Sequence, residues 1–473
     1  MASGSRPAVA SLENLAALGF ALARTGICAY RAVTQSVVHD EAFTYLAFLQ
    51  GSWHTVYFEF NANNHVLLSI LTKLSIGFFG LSEFSLRLVS VLAGFFLTMG
   101  VYQVLREAKT WVAIRWIALL AIGAHPLLMD FSVAARGYSL ALAFLIWAIA
   151  FSMRGSNVVT GFLLGMAVAA NLVVVLPAVG LLLSRLALSR AAIGERVRAA
   201  LIAAGLMAVV FAAVCWGAVS SMTPGQFVTA GLPTINRSLD SLIWTSILAT
   251  RHPGFLGYES VEWFLEWVMI PVLILVVGIA ALRMWRGGEE ARARLQTAGA
   301  LGFACAGMIA GHYLLKLNYP LDRTGLPFVV LAGMAWAIAI SELNNVWVTG
   351  ANVVLGLLLF AQFLTQFQTR QFQIWWYDKS TKQVAERLAE GTRGKPPGSV
   401  RISATWIHQP ALEFYRVYKK IDAIQPIVRR DDILLSGFDY YVLNTPDTEA
   451  PEAKRMEVLF SDPLAGVVLA RSR

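Results

Sequence analysis

Long apolar runs separated by short polar segments fill most of the first 367 positions of the chain. A helix needs about 20 apolar residues to cross the hydrocarbon core of a bilayer, and most of the runs reach that length. The pattern therefore predicts an all-α multi-pass membrane domain over residues 1–367. The apolar runs lie at roughly 12–34, 65–81, 84–106, 110–130, 136–153, 157–187, 197–219, 262–284, 297–315, 324–342 and 346–367.

Two of these runs do not fit a single crossing. The 65–81 run is short and carries Lys73 in its middle, which is typical of a helix that lies in the membrane interface. The 157–187 run spans about 30 residues and is interrupted by Asn171 and Pro177, so that it forms either one tilted helix or two short ones. The number of spans depends on these two runs.

Arginine and lysine clusters between the runs indicate how the chain crosses the membrane, because basic residues of short loops favour the cytoplasmic side. All the clusters fall on one side only if 65–81 does not cross and 157–187 crosses twice. This gives about eleven spans, with the N-terminus in the cytoplasm and the C-terminus outside, whereas ten or twelve spans with an imperfect charge bias are the alternative. The clusters are Arg106 and Lys109; Arg154; Arg185, Arg190, Arg196 and Arg198; and Arg283, Arg286, Arg292 and Arg294.

Composition agrees with a membrane protein. The 473 residues are 57% hydrophobic and only 14% charged, whereas soluble domains carry about 25% charged residues. The net charge of +9 is concentrated in the loop clusters, so we predict no nucleic-acid partner. The 3 cysteines lie in apolar runs without a disulfide pattern. The N-terminus lacks the features of a removable signal peptide, so we expect the first run to be retained in a bacterial inner membrane.

A more polar tail follows the last apolar run. We predict an interfacial helix and linker over 368–398, in which Trp375, Trp376 and Tyr377 form an aromatic belt at the membrane surface. Residues 399–473 then alternate like strands in "SVRISATW", "FDYYVLN" and "AGVVLAR", with a helix at "PALEFYRVYKK". The sequence therefore predicts a small α/β domain outside the membrane.

An acidic pair follows the first run, in "SVVHDEAFTYLAFLQG" at 36–51. In the predicted topology Asp40 and Glu41 face outward, in the first of two outer loops at about 36–83 and 220–261. Charged groups beside the apolar layer are costly and tend to mark function. We therefore expect a functional site on this face. Its other polar groups are Asp130, Arg136 and Tyr138 in "MDFSVAARGYSL", and Lys316, Tyr319, Asp322 and Arg323 in "KLNYPLDRTGLP".

Carboxylates beside arginines and a lysine suit a limited set of reactions. A carboxylate can act as a general base or hold a divalent ion, and arginine and lysine can bind a phosphate. The chain contains no Walker A loop, and a nucleotide donor is not normally available outside the cytoplasm. A phosphate carried by a lipid is available there, because its tail lies between helices and its head reaches the outer face.

Four motifs follow one another along the chain: "HDEAFTYLAFLQGSW", "NANNHVLLSILTKLSIGFFGLSEFSLRLVSVLAG", "AARGYSLALAF" and "YPLDRTGLPFVVLAG". In this order and spacing they resemble the motifs of the GT-C glycosyltransferases, in particular the bacterial members related to protein O-mannosyltransferases and to the aminoarabinose transferase of lipid A. The resemblance covers nearly the whole chain. One departure is visible, since Val66 and Leu67 stand where the family has prolines after the histidine.

The resemblance implies that a sugar passes from a polyprenyl-phosphate donor to a hydroxyl of a glycan, lipid or protein acceptor, with inversion at the anomeric centre. Asp40 matches the catalytic base, and Glu41 is its companion, which we expect to orient the site. A divalent metal ion near the first outer loop is a further hypothesis, with Asn63 in the place of an acidic ligand. The positions implied are Arg136, Tyr138, Arg323 and, as a weaker candidate, Lys316 for the lipid phosphate, and Asn63, His65 and His252 for a metal or the acceptor.

Two other classes of function stay open. A transporter or flippase for lipid-linked sugars would carry ionisable residues in mid-span and internal repeats between its halves. The sequence has no clear repeat, and its main mid-span charges are Glu13, Arg24 and Arg115, of which Arg24 could extend to the interface. A non-catalytic membrane scaffold would instead use the C-terminal domain to bind partners.

Overall fold

The computed structural model describes residues 7–223, 226, 231–248, 258–429 and 437–472. A helical bundle is followed by a small sheet. The helices are α1 (Pro7–Thr34), α2 (His39–Thr44), α3 (Trp53–Phe58), α4 (Val66–Phe79), α5 (Glu83–Glu107), α6 (Val112–Ala124), α7 (Pro126–Phe131), α8 (Tyr138–Met153), α9 (Asn157–Ala170), α10 (Val175–Leu188), α11 (Ile193–Ser220), α12 (Ile235–Ile243), α13 (Tyr258–Phe264), α14 (Ile270–Arg286), α15 (Glu289–Leu315), α16 (Leu326–Leu343), α17 (Val346–Gln366), α18 (Thr381–Gly391), α19 (Gln409–Tyr418) and α20 (Pro451–Lys454). The strands are β1 (Ile402–Ala404), β2 (Tyr440–Asn444), β3 (Glu457–Asp462) and β4 (Val467–Arg471).

Apolar helices form the bundle. Within the described residues, 6 stretches are long and apolar enough to cross a membrane: Glu83–Glu107, Ile193–Ser220, Glu262–Arg286, Glu289–Leu315, Asp322–Leu343 and Val346–Gln366. Shorter apolar helices lie at Val66–Phe79, Val112–Ala124, Tyr138–Met153, Asn157–Ala170 and Leu172–Leu188. The chain is a multi-pass membrane protein, and the predicted fold class, a helical membrane bundle with a small C-terminal α/β unit, is confirmed.

The long run interrupted by Asn171 forms two helices, α9 and α10. The Asn171 backbone is extended, and its side chain accepts a hydrogen bond from the turn that follows. A Cβ on Gly137 would lie 2.0 Å from the carbonyl oxygen of Ala170, so the break packs tightly against the loop before α8. At the far end of the pair, the Arg185 guanidinium donates a hydrogen bond to Asn157. The two helices therefore leave one end of the bundle and return to it, as predicted.

Helix α4 does not cross the bundle. It begins after His65, beside the same loop before α8. It ends just before Glu83, whose carboxylate accepts a hydrogen bond of 3.0 Å from the hydroxyl of Tyr415 in the C-terminal unit. Lys73, in the middle of α4, donates from Nζ to the carbonyl oxygen of Leu49 at 2.7 Å. Both ends of α4 thus lie at one end of the bundle, which agrees with the prediction of a helix that does not span.

The basic clusters gather at the opposite end of the bundle from the acidic pair. Ion pairs and hydrogen bonds join loops that are far apart in sequence, so these loops share one end. The acidic pair and its arginines lie at the other end, which reproduces the one-sided charge distribution that the sequence predicts. The contacts that join the basic end are Arg154–Glu107, Arg294–Glu342, Lys109–Glu290, and the backbone N–H of Arg190 with Glu289.

Arg24 does not extend to the interface, and that expectation is wrong. The side chain is 4% exposed and donates hydrogen bonds to the carbonyl oxygens of Gly123 at 2.7 Å and Gly94 at 3.2 Å. A third hydrogen bond, of 2.8 Å, reaches the hydroxyl of Ser132. Because α7 restarts at Pro126, carbonyl groups at the end of α6 lack helical partners, and Arg24 supplies donors inside the bundle.

The C-terminal sheet has the strand order β1-β2-β4-β3. β1 runs parallel to β2, and the other pairs are antiparallel. Val384 and Leu388 of α18 pack against Ile402, Val442 and Leu469 in its core. The three strand segments and the helix predicted from the tail coincide with β1, β2, β4 and α19. The edge strand β3 was not predicted, because most of its side chains are exposed or half-buried and lack a clear apolar alternation.

The expectation that Trp375 belongs to an aromatic belt at the membrane surface is wrong. This side chain is 2% exposed. Its ring packs edge-on against Phe131, with centroids 5.5 Å apart, and against Phe372 at 5.9 Å. The segment that follows the last apolar helix therefore turns inward and reaches the end of the bundle where the acidic pair lies.

Candidate functional site

Helix α2 carries the acidic pair and begins directly after an extended segment that leaves α1. Val38 stands at the N-cap position, where an apolar side chain cannot accept a hydrogen bond. The Glu41 carboxylate reaches back instead and accepts the N–H of Val38 at 3.0 Å. Asp40 and Glu41 are successive residues of one helix and point about 100° apart. Their environments differ accordingly.

Glu41 is fully buried and both of its oxygens are engaged. Arg87 of α5 donates from Nε to Oε1 at 2.9 Å and from Nη2 to Oε2 at 2.6 Å, which is a bidentate ion pair. The backbone N–H of Ala135 adds a hydrogen bond of 2.7 Å. Arg87 also donates to the carbonyl oxygens of Gln35 and Ser36 at the end of α1. This pair joins α1, α2, α5 and the loop before α8.

Asp40 faces two guanidinium groups instead. Its Oδ2 lies 3.5 Å from Nη2 of Arg323 and 3.9 Å from Nη2 of Arg136. Both distances are long for hydrogen bonds, and Asp40 Oδ2 has no hydrogen-bond partner among the described residues. A carboxylate oxygen thus stands between two positive charges without being saturated by them.

Arg136 reaches the site from the loop before α8. Its Nη2 donates to the side-chain oxygen of Asn63 at 2.8 Å, and its Nη1 lies 3.4 Å from the hydroxyl of Thr44. Its Nε is buried and has no partner in the described part of the chain. Burial lowers the pKa of Arg136, and the Asp40 carboxylate opposes this shift. A buried donor that keeps hydrogen-bonding capacity is suited to an anionic ligand.

His65 lies beside this pair of arginines. Its Nε2 is buried and unpartnered among the described residues, and its ring lies edge-on to Tyr138 at 5.9 Å. Burial lowers the pKa of His65 well below its usual value, and the charges of Arg136 and Arg323 lower it further. The imidazole is therefore neutral at physiological pH and can donate or accept one hydrogen bond at Nε2.

Arg323 is held by its own loop and by the segment at 231–248. The preceding residue, Asp322, has φ +47°, a left-handed conformation that costs a non-glycine residue energy. Ser241 of α12 locks it, because the N–H of Asp322 donates to Ser241 Oγ at 2.9 Å and the Ser241 hydroxyl donates to the Asp322 carboxylate. The Arg323 guanidinium lies over the ring of Trp375, 5.7 Å from its centroid.

The other predicted site residues differ in how close they lie to the cluster of Asp40, Arg136 and Arg323. Tyr138 is 5% exposed and interacts electrostatically with Arg323. Lys316 is exposed in a left-handed conformation at the end of α15, and it contacts none of the described residues of the cluster. His252 lies outside the described residues.

Three residues that adjoin the cluster were not predicted as site residues. Arg87 and Asp378 are fully buried. Burial raises the pKa of Tyr377, and the charges of Asp378 and Asp40 raise it further. Asp378 follows two tryptophans and a tyrosine in "WWYD". The carboxylate within this aromatic stretch was a sequence signal for a site residue, and the prediction of an aromatic belt did not use it.

A separate group of acidic residues lies where α12 meets the start of the Glu262–Arg286 stretch, and there Asp240, Glu262 and Glu266 bring one carboxylate oxygen each to within 4.8 Å of one another. Oxygen ligands of this kind suit hard divalent cations. Asn63 and His65 are less suited to a cation, because Arg136 occupies the Asn63 oxygen and two guanidinium groups surround His65.

Comparison with solved structures finds a remote likeness over nearly the whole chain. ArnT from Cupriavidus metallidurans bound to undecaprenyl phosphate is 17% identical with a TM-score of 0.46, over 95% of this chain and 97% of that chain. The apo state of ArnT gives 16% and 0.47, over 95% and 96%. An Archaeoglobus fulgidus oligosaccharyltransferase in complex with Zn and sulfate gives 12% and 0.46, over 96% and 73%. No protein-family model matches the chain, and no curated protein matches it in sequence.

Proposed function

We propose that the chain is a GT-C type membrane glycosyltransferase that moves a sugar from a polyprenyl-phosphate donor to a hydroxyl acceptor. One observation carries this proposal: the unsaturated Asp40 carboxylate lies between Arg136 and Arg323 where the apolar helices end. A lipid phosphate needs cations at that depth, and an acceptor hydroxyl needs a base beside them. The order of the four sequence motifs supports the same reaction.

In the proposed reaction the two arginines bind the donor phosphate, with Tyr138 beside them. The phosphate then satisfies the guanidinium groups and leaves Asp40 to accept a proton. The acceptor oxygen forms a bond to the anomeric carbon as the bond from that carbon to the phosphate oxygen breaks. The acceptor proton passes to Asp40, and polyprenyl phosphate leaves with the bonding electrons. A single displacement of this kind inverts the anomeric centre.

Glu41 is proposed to orient this site without accepting the proton, because Arg87 and the N–H of Ala135 occupy its oxygens. Neutral His65 is proposed to contact the donor phosphate or the acceptor. Lys316 and His252 stay candidates from the sequence. A divalent metal ion, if the protein uses one, would find oxygen ligands at Asp240, Glu262 and Glu266, where it would neutralise part of their negative charge.

The cellular orientation belongs to the same proposal. We infer that the basic end of the bundle faces the cytoplasm of a bacterial cell, because short basic loops are retained there. The Asp40 site then opens outside the inner membrane, together with the small α/β unit of residues 399–473. A cysteine introduced near Gly288 would be shielded from a membrane-impermeant thiol reagent in intact cells, whereas reaction from outside would overturn this orientation.

The transporter alternative loses support from the pairing of its mid-span charges. Arg115 Nη1 lies 2.7 Å from Glu13 Oε1, and Arg24 is saturated by backbone carbonyl oxygens and a serine. A transporter would need ionisable groups that exchange partners along a pathway. The described charges are instead fixed in the packing between α1, α5 and α6.

The experiment that tests the proposal compares lipid-linked sugars and cell-envelope glycans by mass spectrometry in cells with and without the gene. If the protein is a glycosyltransferase, the deletion strain should accumulate a lipid-linked donor, and one of its glycans, glycolipids or glycoproteins should lack a sugar. Complementation with the Asp40→Asn variant should leave the defect in place. Restoration of the glycan by Asp40→Asn would remove Asp40 as the base.

A further inference from the structure

Asp378 contacts the start of the helix that carries Asp40, although 338 positions separate the two residues. Its side chain is fully buried. Oδ2 accepts the backbone N–H of His39, the first residue of α2, at 2.6 Å, and Oδ1 accepts the hydroxyl of Thr381 at 3.0 Å. The carboxylate is therefore fixed to α18, the helix that packs against the C-terminal sheet, and it supplies an acceptor to α2.

Helix α2 needs that acceptor. The first N–H groups of a helix have no partner within the helix, and the N-cap side chain usually accepts one of them. Val38 cannot do so, and the Glu41 carboxylate is used by the N–H of Val38 and by Arg87. Asp378 accepts the first of these N–H groups, that of His39, so its position helps to set the direction of α2.

The turn that holds Asp378 also approaches the other half of the site. The turn spans Trp376–Asp378. Trp375, just before it, lies under the Arg323 guanidinium, and Tyr377 within it interacts electrostatically with both Asp40 and Arg323. The same short segment thus contacts the helix of the proposed base and the arginine of the proposed phosphate site.

We propose that Asp378 is a positioning residue that fixes the start of α2 and thereby aims Asp40 at the acceptor hydroxyl. The inference rests on the proposed function, since it takes Asp40 as the base. It assigns the segment after the last apolar helix a part in the reaction, through the backbone of His39. Loss of the contact is expected to slow the chemical step and to leave donor binding in place.

The test compares Asp378→Ala with Asp378→Asn. Turnover is measured on the lipid-linked sugar fraction extracted from cells that lack the gene, and donor-site affinity is measured with undecaprenyl phosphate. Asp378→Ala should lower kcat by about 10²-fold, the scale of a misplacement of about 1 Å. Its affinity for undecaprenyl phosphate should stay within about twofold, and hydrogen exchange of the 36–51 segment should rise. Asp378→Asn keeps a side-chain oxygen for the His39 N–H and should restore most of the rate.

A matched control separates this contact from docking of the C-terminal unit in general. Lys382 of α18 also tethers this part of the chain to the bundle, by an ion pair of 2.9 Å between its Nζ and the Glu83 carboxylate, and its side chain bonds to no described residue of α2. Lys382→Ala should keep its kcat. An equal loss of kcat in Lys382→Ala, a loss in Asp378→Asn as large as in Asp378→Ala, or full activity of Asp378→Ala would each overturn the inference. An active Asp40→Asn variant would instead overturn the proposed function.

Discussion

Two clusters of buried charge lie side by side at one end of the bundle, and they differ in how completely their hydrogen bonds are made. In the Glu41–Arg87 pair both carboxylate oxygens are bonded, and Arg87 also donates to the carbonyl oxygen of Ala32 in α1. Around Asp40 the distances to the arginines are long, and Asp40 Oδ2 and Arg136 Nε have no hydrogen-bond partner among the described residues. A saturated cluster holds the fold together, whereas an unsaturated one keeps capacity for a ligand.

The largest effect is expected at Asp40. Asp40→Asn keeps the shape of the side chain and removes its capacity to accept a proton, so turnover should fall by about 10²–10⁴-fold. Thermal stability and undecaprenyl phosphate binding should change little, because the carboxylate is not saturated by its neighbours. Turnover of the purified protein tests the expected loss of activity, and its melting temperature tests the expected unchanged stability. Near-normal turnover would show that the unsaturated cluster is not where the proton goes.

The next effect concerns stability at Arg87. Arg87→Ala leaves Glu41 buried without its partner and should destabilise the protein by about 3–5 kcal/mol. Arg154→Ala breaks the half-exposed pair with Glu107 and is the control, with an expected cost of about 0–1 kcal/mol. Thermal unfolding in detergent compares the two variants. Equal melting temperatures would contradict the view of Glu41–Arg87 as a structural cluster.

A third effect concerns the donor phosphate. Arg136→Ala and Arg323→Ala should each weaken undecaprenyl phosphate binding by about 1.5–3 kcal/mol, since each removes a charge-assisted hydrogen bond. Lysine at these positions should restore binding only in part, because it cannot make a bidentate contact. Exposed Lys316 lies apart from the cluster, and Lys316→Ala should have the smaller effect. Unchanged affinity in both arginine variants would remove them from the phosphate site.

The smallest effect tests the support of Arg323. Ser241→Ala removes both hydrogen bonds that hold Asp322 in its left-handed conformation, so Arg323 should become less ordered and donor affinity should fall by about 0.5–1.5 kcal/mol. Thr245→Ala is the matched control, because the Thr245 hydroxyl bonds to carbonyl oxygens within its own helix. Titration with undecaprenyl phosphate distinguishes them. Identical affinities for the two variants would mean that Asp322 holds its conformation without Ser241.

The sequence predicts those features that leave a local signal. Apolar length predicts the helices, Asn171 predicts the break between α9 and α10, and the arginine clusters predict a basic end. The Asp40–Arg136–Arg323 cluster follows from three loops that share one face in the predicted topology. The roles of Asp40, Arg136 and Arg323 in the reaction remain predictions.

Contacts between distant residues leave no such signal. Arg87, the partner of Glu41, lies near the start of an apolar helix, and Asp378 lies in an aromatic stretch that resembles a membrane belt. Neither pairing has a period or a spacing that a single sequence can reveal. The inward turn of Trp375 has the same cause, because burial there depends on Phe131, which is far away in the chain.

The hydrogen bonds of Arg24 have a consequence for how the protein is made. Helix α1 is synthesised before α5 to α7, and the acceptors of Arg24 at Gly94, Gly123 and Ser132 follow it by 70 to 108 residues. An arginine at the centre of a lone helix costs about 2.5–3.5 kcal/mol on the scale of translocon insertion. Placing α1 in the lipid therefore carries this cost until α5 to α7 have been synthesised and supply acceptors for Arg24. We therefore expect α1 to integrate into the membrane together with α5 to α7 rather than alone.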